Sequence, residues 1–182
     1  MASDATFKPG YMGRSRDPVF VAGVAIAFIA TDVLAGAWFF QLVLDIRPCP
    51  LCLEQRYAYY LAIPLAALIA YGAARNVSRA ILIAGLGALA VMWLANAGLG
   101  AYHAGVEWGF WQGPTDCSGP ITDLGSGGNL LDGLNKVKVI RCDEVQWRFL
   151  GLSLAGYNAL ISFALAALAL WGIGKSMNRP DR

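Results

Sequence analysis

Residues 80–101, AILIAGLGALAVMWLANAGLGA, run for twenty-two positions without a charged side chain, and Asn96 is their only strongly polar group. A helix needs about 20 apolar residues to cross the roughly 30 Å hydrocarbon core of a bilayer, so this stretch reads as a membrane span. Three more apolar runs flank it. Val19 to Leu44 is interrupted by Asp32 and Gln41, and Ala58 to Ala74 contains Pro64. Phe149 to Gly174 carries no charge and offers Ser153, Asn158 and Ser162 for contacts between helices. The chain is therefore expected to be an all-α integral membrane protein, one domain over 1–182 built as a four-helix bundle. The predicted transmembrane helices are 19–44, 56–74, 80–102 and 149–173. Tails 1–18 and 174–182 lie on one side, and loops 45–55 and 103–148 on the other.

Composition agrees with that reading. Of 182 residues, 57% are hydrophobic and 14% charged, with mean hydropathy +0.51, whereas a soluble domain is about 45–50% apolar and about 25% charged. A net charge of +2 without a dense basic stripe excludes a nucleic-acid binder. Val19 to Ala30, preceded by Lys8, Arg14 and Arg16, has the length of a signal-peptide core, but the apolar pattern continues to Leu44, which argues for a retained helix. Within it, Asp32 is expected to face the bundle interior or to be neutral, because a carboxylate at that depth needs partners.

Lys and Arg set the orientation. Residues 1–18, 75–79 and 174–182 hold eight of the fourteen basic side chains in 32 positions, and residues 45–56 with 103–148 hold six in 58. The positive-inside rule then places both termini and the Arg75 to Arg79 turn in the cytoplasm. All four cysteines follow onto the opposite side, Cys49 and Cys52 in the first outer loop and Cys117 and Cys142 in the second. An outward, oxidising compartment permits disulfides, and the pairing stays open at this point.

Cys49-Pro50-Leu51-Cys52 has the spacing of a redox pair at the mouth of the second span. Near a helix N-terminus, the dipole and free amides favour a thiolate at Cys52. Arg56 follows Cys52 by four residues, on the same helical face, where its guanidinium can stabilise a thiolate or another anion beside it. The plainer alternative is that Arg56 snorkels to the headgroups. No metal is expected, since zinc sites of four cysteines usually show two close pairs and only one is present. A static brace is a poor explanation of the C-x-x-C, which closes almost no loop entropy, although it remains open for Cys117 with Cys142.

Trp38-Phe39-Phe40-Gln41, then Cys49-Pro50-Leu51-Cys52 with Arg56, and finally Cys142-Asp143-Glu144-Val145-Gln146-Trp147-Arg148-Phe149-Leu150-Gly151-Leu152 together resemble the DsbB-type disulfide bond formation proteins of bacterial inner membranes. The resemblance covers nearly the whole chain. It implies a thiol:quinone oxidoreductase that reoxidises a periplasmic DsbA-like dithiol protein and passes the electrons to a membrane quinone, ubiquinone or menaquinone. It further implies that Cys117 is attacked by the partner's thiolate and that the released Cys142 attacks Cys49. Cys52 is then left as the thiolate that meets the quinone, with Arg56 stabilising the developing anions. His103, the single histidine, corresponds to a histidine associated with the quinone end, where Tyr102 and His103 could line the pocket or relay a proton; an interfacial histidine without chemistry is the alternative. One departure is visible: the resemblance leads us to expect an acid directly before the arginine, and this chain has Gln55 there, with Glu54 one residue earlier.

Tyr57, Tyr59 and Tyr60, with Trp147 and Trp171, are expected to form aromatic belts, and Trp108, Phe110 and Trp111 to dip into the interface. The second loop is long enough to need structure of its own: Leu130, Leu134 and Val137 recur at helical spacing, as in a short surface helix, while Lys136-Val137-Lys138-Val139-Ile140 alternates like a strand, so both readings stay open there. Two rival functions share these features. A vitamin K epoxide reductase-like or paralogous oxidoreductase would serve another donor, and a noncatalytic membrane protein would use its disulfides as braces.

Overall fold

A computed structural model describes residues 17–114 and 141–178. Cys117 and the stretch read as surface helix or strand around Leu130 to Ile140 lie outside the described residues. Four long helices form the molecule: α1 Pro18–Leu42, α2 Pro50–Ala74, α3 Arg79–Glu107 and α4 Leu154–Met177. At 1.5 Å per residue, the 24 residues of the shortest span about 36 Å, enough to cross a membrane. Packing is strongest between α3 and α4 and between α1 and α2, with α2 on α3 and α1 on α4 closing the ring.

Local chemistry sets the helix starts. Asp17 caps α1 by accepting from the Val19 amide at 2.9 Å, with Pro18 in the first turn. Ser153 caps α4 by accepting from Gly156 at 3.2 Å. Small residues let the helices approach, as expected where lipid removes the hydrophobic drive between them. Ala22, Ala30, Ala62, Ala66, Ala166 and Ala169 are buried around Ile26, Leu86, Leu89, Trp93 and Leu165. At Gly100 a Cβ would lie 2.9 Å from the Ala159 amide nitrogen, so α3 and α4 meet there backbone to backbone. Only 28–33% of the most apolar stretch of each helix is buried, which leaves the larger share of each span to face lipid.

The helix ends differ from the spans expected from hydropathy, and α1 stops at Leu42 rather than at 44. α2 begins at Pro50 rather than near 56, because Pro50 occupies its first turn with Cys49 as cap, while Glu54, Gln55 and Arg56 break the apolar pattern that the sequence reading followed. α3 runs on to Glu107, so His103 lies on the helix and not in the loop. α4 starts at Leu154, because Arg148–Phe149 and Leu152–Ser153 pair as a tight antiparallel hairpin. Its two central residues, Leu150 and Gly151, have φ of 48° and 84°, as a two-residue turn of the primed type requires. Asp32 is exposed on the outer face, against expectation. Ile26 and Ala30 mark the inward stripe of α1, and a residue two positions on points to the opposite side.

Candidate functional site at the cysteine end of the bundle

Cys49 is the cap of α2, and its sulfur accepts the Cys52 amide at 3.3 Å, so the positive end of the helix falls on this sulfur pair. The two sulfurs are 2.9 Å apart, with the Cys49 S–H donating to Cys52. Cys49 and Cys142 are buried, and Cys52 is half-buried. Cys142 Sγ, Cys49 Sγ and a His103 ring nitrogen all lie within 4.8 Å of one another. The loop cysteine is thus packed against the C-x-x-C, with no long distance to cover to reach Cys49. The same three donors could hold a soft cation when reduced, a grouping that the spacing argument against metal did not foresee.

A chain of buried amides fixes His103. The Leu51 carbonyl can only accept, so the Gln55 group 3.2 Å from it is the Nε2 amide, and the same nitrogen lies 2.8 Å from His103 Nδ1. Nδ1 therefore accepts, and the proton of the neutral ring is on Nε2, 3.6 Å from Cys49 Sγ. On its other side, Gln55 Oε1 accepts from Asn158 Nδ2 at 2.6 Å, and Asn158 Oδ1 accepts from the Tyr59 hydroxyl at 2.6 Å. Asn96 donates to Ser162 Oγ at 2.9 Å, which ties α3 to α4 beneath this chain. Tyr59 is buried in this network against the edge of Trp93, so it is not part of an aromatic belt as expected, while Tyr57 and Tyr60 are exposed. Asn158 was readable as an intramembrane polar residue and Gln55 was placed in the first outer loop, but nothing in the sequence paired them across 103 positions.

Arg56 turns toward α1 instead of snorkelling. It donates to Gln41 Oε1 at 2.6 Å and to the Ala37 carbonyl at 3.2 Å, and its guanidinium lies 5.6 Å from the centre of the Trp38 ring. These contacts offset a burial that costs roughly 2.5–3.5 kcal/mol for an unassisted arginine at mid-membrane. The Trp38 to Gln41 motif is thereby explained as the holder of the arginine.

Between α1, α2, α4 and the segment after Arg141 lies a largely apolar cavity of about 410 Å³. Cys49, Cys52, Arg56, His103 and Glu107 line its polar side, and Phe40, Tyr59, Trp147 and Phe149 are among its apolar walls. Trp147 packs edge-on to Phe40, with centroids 5.1 Å apart, so it too is a wall residue and not the interfacial belt expected from sequence. Tyr102 faces outward, stacked on Trp111 at 5.9 Å, and only His103 of that pair reaches the cavity. Trp108, Phe110 and Trp111 are exposed at the end of α3.

In the reduced state the Cys49 thiol is pushed well above the ordinary thiol range, first by donating to Cys52 and next by burial, with His103 opposing. The folded state thus keeps a proton that the unfolded chain releases near pH 8.5, so stability is full below that pH and falls above it. Thermal unfolding of reduced protein should show a midpoint that declines from about pH 8.5 upward, and Cys49→Ser should flatten the decline.

The model of the family described as Disulfide bond formation protein DsbB matches residues 19–172. A Disulfide bond formation protein B of an Azoarcus species is 32% identical over 172 residues, covering 87% of this chain and 92% of its own length. That of Burkholderia pseudomallei is 33% identical over 147 residues, covering 80% and 83%. That of Albidiferax ferrireducens is 28% identical over 179 residues, covering 93% and 94%. No solved structure matches the chain at a significant level. Since the family match runs from the first helix into the closing turns of the last, the chain belongs to the DsbB family, multi-pass inner-membrane disulfide oxidoreductases of disulfide bond formation.

Proposed function

We propose that this oxidoreductase reoxidises a periplasmic DsbA-like dithiol protein and delivers the two electrons to a membrane quinone, with both chain termini in the cytoplasm and the cysteine end in the periplasm. One observation carries the reading: Cys142 packs within 4.8 Å of Cys49, and both cysteines of the C-x-x-C line the apolar cavity, so electrons can enter at one sulfur and leave at another.

Attack by the partner's thiolate on a Cys117–Cys142 disulfide releases Cys142. Its sulfur then attacks Cys49, the Cys49–Cys52 bond breaks, and the electron pair departs with Cys52. Cys52 lines the cavity beside Arg56. A guanidinium has five N–H groups, and two atoms of this one are occupied by Gln41 and Ala37, so donors remain for an anion on the cavity side. The volume falls in the range of about 300–1,000 Å³ typical of ligand sites, and its aromatic walls suit a flat ring. A quinone bound there would supply the two-electron, two-proton acceptor. The chain's part is to hold Cys52 at the wall, neutralise negative charge with Arg56 and fix the ring of His103.

Adding ubiquinone to purified protein should produce a visible absorbance change that Cys52→Ser abolishes, together with all quinone-dependent oxidation of a DsbA-like dithiol. Full turnover without the Cys52 sulfur would sink the mechanism.

A further inference from the structure

We propose that the reduced protein carries a site for a thiolate-seeking divalent cation, Zn²⁺ or Cd²⁺, built from Cys49, Cys142 and His103, and that an ion bound there halts electron transfer; the second part rests on the relay described above. Thiolate and imidazole are the ligands that select such cations. Each of the three residues is 3% exposed or less, and they come from the cap of α2, the segment before the hairpin and α3. Zn–S bonds of about 2.3 Å and Zn–N bonds of about 2.0–2.1 Å in a tetrahedral site put a sulfur and a nitrogen about 3.6 Å apart and two sulfurs about 3.8 Å apart. Cys49 Sγ and His103 Nε2 stand at 3.6 Å, and all three donor atoms lie within 4.8 Å of one another. The Cys142 sulfur has to close in by no more than about 1.2 Å to complete the set.

Charge favours the same occupant. Two thiolates and a neutral imidazole around a divalent cation sum to zero, as a buried site demands. The ion has an entry, since Cys49 and His103 line the polar side of the cavity. Glu107 lines it as well, with Oε1 3.9 Å from His103 Nε2 and Oε2 buried without a hydrogen-bond partner among the described residues. A cation beside Nε2 gives that carboxyl an electrostatic partner.

The nitrogen that takes the ion is the one that carries the ring's proton in the metal-free protein. Binding therefore exchanges protons for the ion: the Cys49 and Cys142 thiols each release one to solvent, two bonds from sulfur and one from Nε2 form on the metal, and the ring's proton moves to Nδ1. Nothing is oxidised. Nδ1–H then needs an acceptor where Gln55 donates in the metal-free protein. Turning the Gln55 amide over supplies Oε1, Asn158 turns with it, and the Tyr59 hydroxyl at the end of the chain accepts as readily as it donates. The Leu51 carbonyl loses its 3.2 Å bond in this arrangement. Occupation is thus tied to the direction of the amide chain and to the redox state, since a disulfide at Cys49 removes one ligand. An ion held by Cys49 and Cys142 in turn keeps both sulfurs out of the exchange.

The test uses full-length, untagged protein in detergent, reduced and without quinone. One equivalent of Cd²⁺ should raise an ultraviolet thiolate-to-metal band and release about two protons. The oxidised protein should do neither. Cys142→Ser should weaken binding by about 100-fold or more, since even an outer-shell partner is worth about 10–100-fold. Gln55→Glu, whose carboxylate accepts from Nδ1–H with no turn of the amide, should tighten it by about 10–100-fold. If the serine variant does not fold, X-ray absorption of the Zn²⁺-loaded wild type decides instead, with two sulfurs and one imidazole nitrogen expected around the metal. No band in the reduced wild type, equal affinity in Cys142→Ser, no tightening in Gln55→Glu, or a metal without an imidazole neighbour would each overturn the site. In turnover, Cd²⁺ bound to the reduced protein should stop ubiquinone-dependent oxidation of a DsbA-like dithiol, and a chelator should restore it; undiminished turnover with the site filled would overturn the inhibitory role. A metal-free wild type that oxidised no dithiol would instead defeat the relay, and the binding measurements would still decide on the site.

Discussion

Serine in place of Cys142 should stop electron flow from the dithiol partner, down to background, yet leave the absorbance response to added quinone intact. The two outcomes separate because Cys142 packs against Cys49, whereas Cys49 and Cys52 themselves line the cavity. Serine has nearly the same size and fits the buried site, but its oxygen cannot form the bond to Cys49 Sγ on which the relay depends. Cys49 and Cys52 keep their mutual geometry, which is set by the first turn of α2 and does not involve Cys142. Dithiol oxidation followed by stopped flow, with quinone titration of the same sample, checks both halves. A Cys142→Ser protein that still turned over would show that electrons reach Cys49 by another route.

Gln55→Leu has the second largest expected effect, and it acts without touching a cysteine. Leucine approximates the shape of glutamine but leaves His103 Nδ1 and Asn158 Nδ2 without their partner in a buried setting. Each orphaned group costs about 1–3 kcal/mol, so the variant should be less stable by about 2–5 kcal/mol in denaturant unfolding. The chemical effect is separate. With Nδ1 released, the ring is no longer held as the Nε2–H form opposite Cys49, and turnover should fall by more than about tenfold. Gln55→Glu provides the contrast, since it keeps the shape and the bond to Asn158 and changes only what the histidine meets. Equal stability of Gln55→Leu and the wild type would mean that the amide chain contributes little.

The bundle was legible because lipid demands long uninterrupted apolar helices, and the four runs have no other reading at their lengths. The grouping of Cys49, Cys52 and Arg56 was legible because all three are local in sequence and lie at the start of one helix. What escaped was long-range. The partners of Arg56 and the amides that orient His103 come from separate helices, and the hydropathy pattern says nothing of helix rotation to within the 100° that distinguishes an inward from an outward residue. Asp32 shows the failure in one direction and Tyr59 in the other. Glu107 was visible at four residues from His103, the spacing of one helical turn, but the helix had been expected to stop before it.

The hairpin before α4 has a mechanical consequence. Trp147 is wedged against Phe40, and the strands from Arg148 to Ser153 are locked onto the start of α4. Only residues 143–146 remain between that anchor and Cys142, a tether with a reach of about 14 Å when fully drawn out. Cys142 is on a short leash beside the C-x-x-C. A soluble protein many times that size cannot be met by a cysteine so confined and so deeply covered, so in the relay proposed here the approach must be made to it.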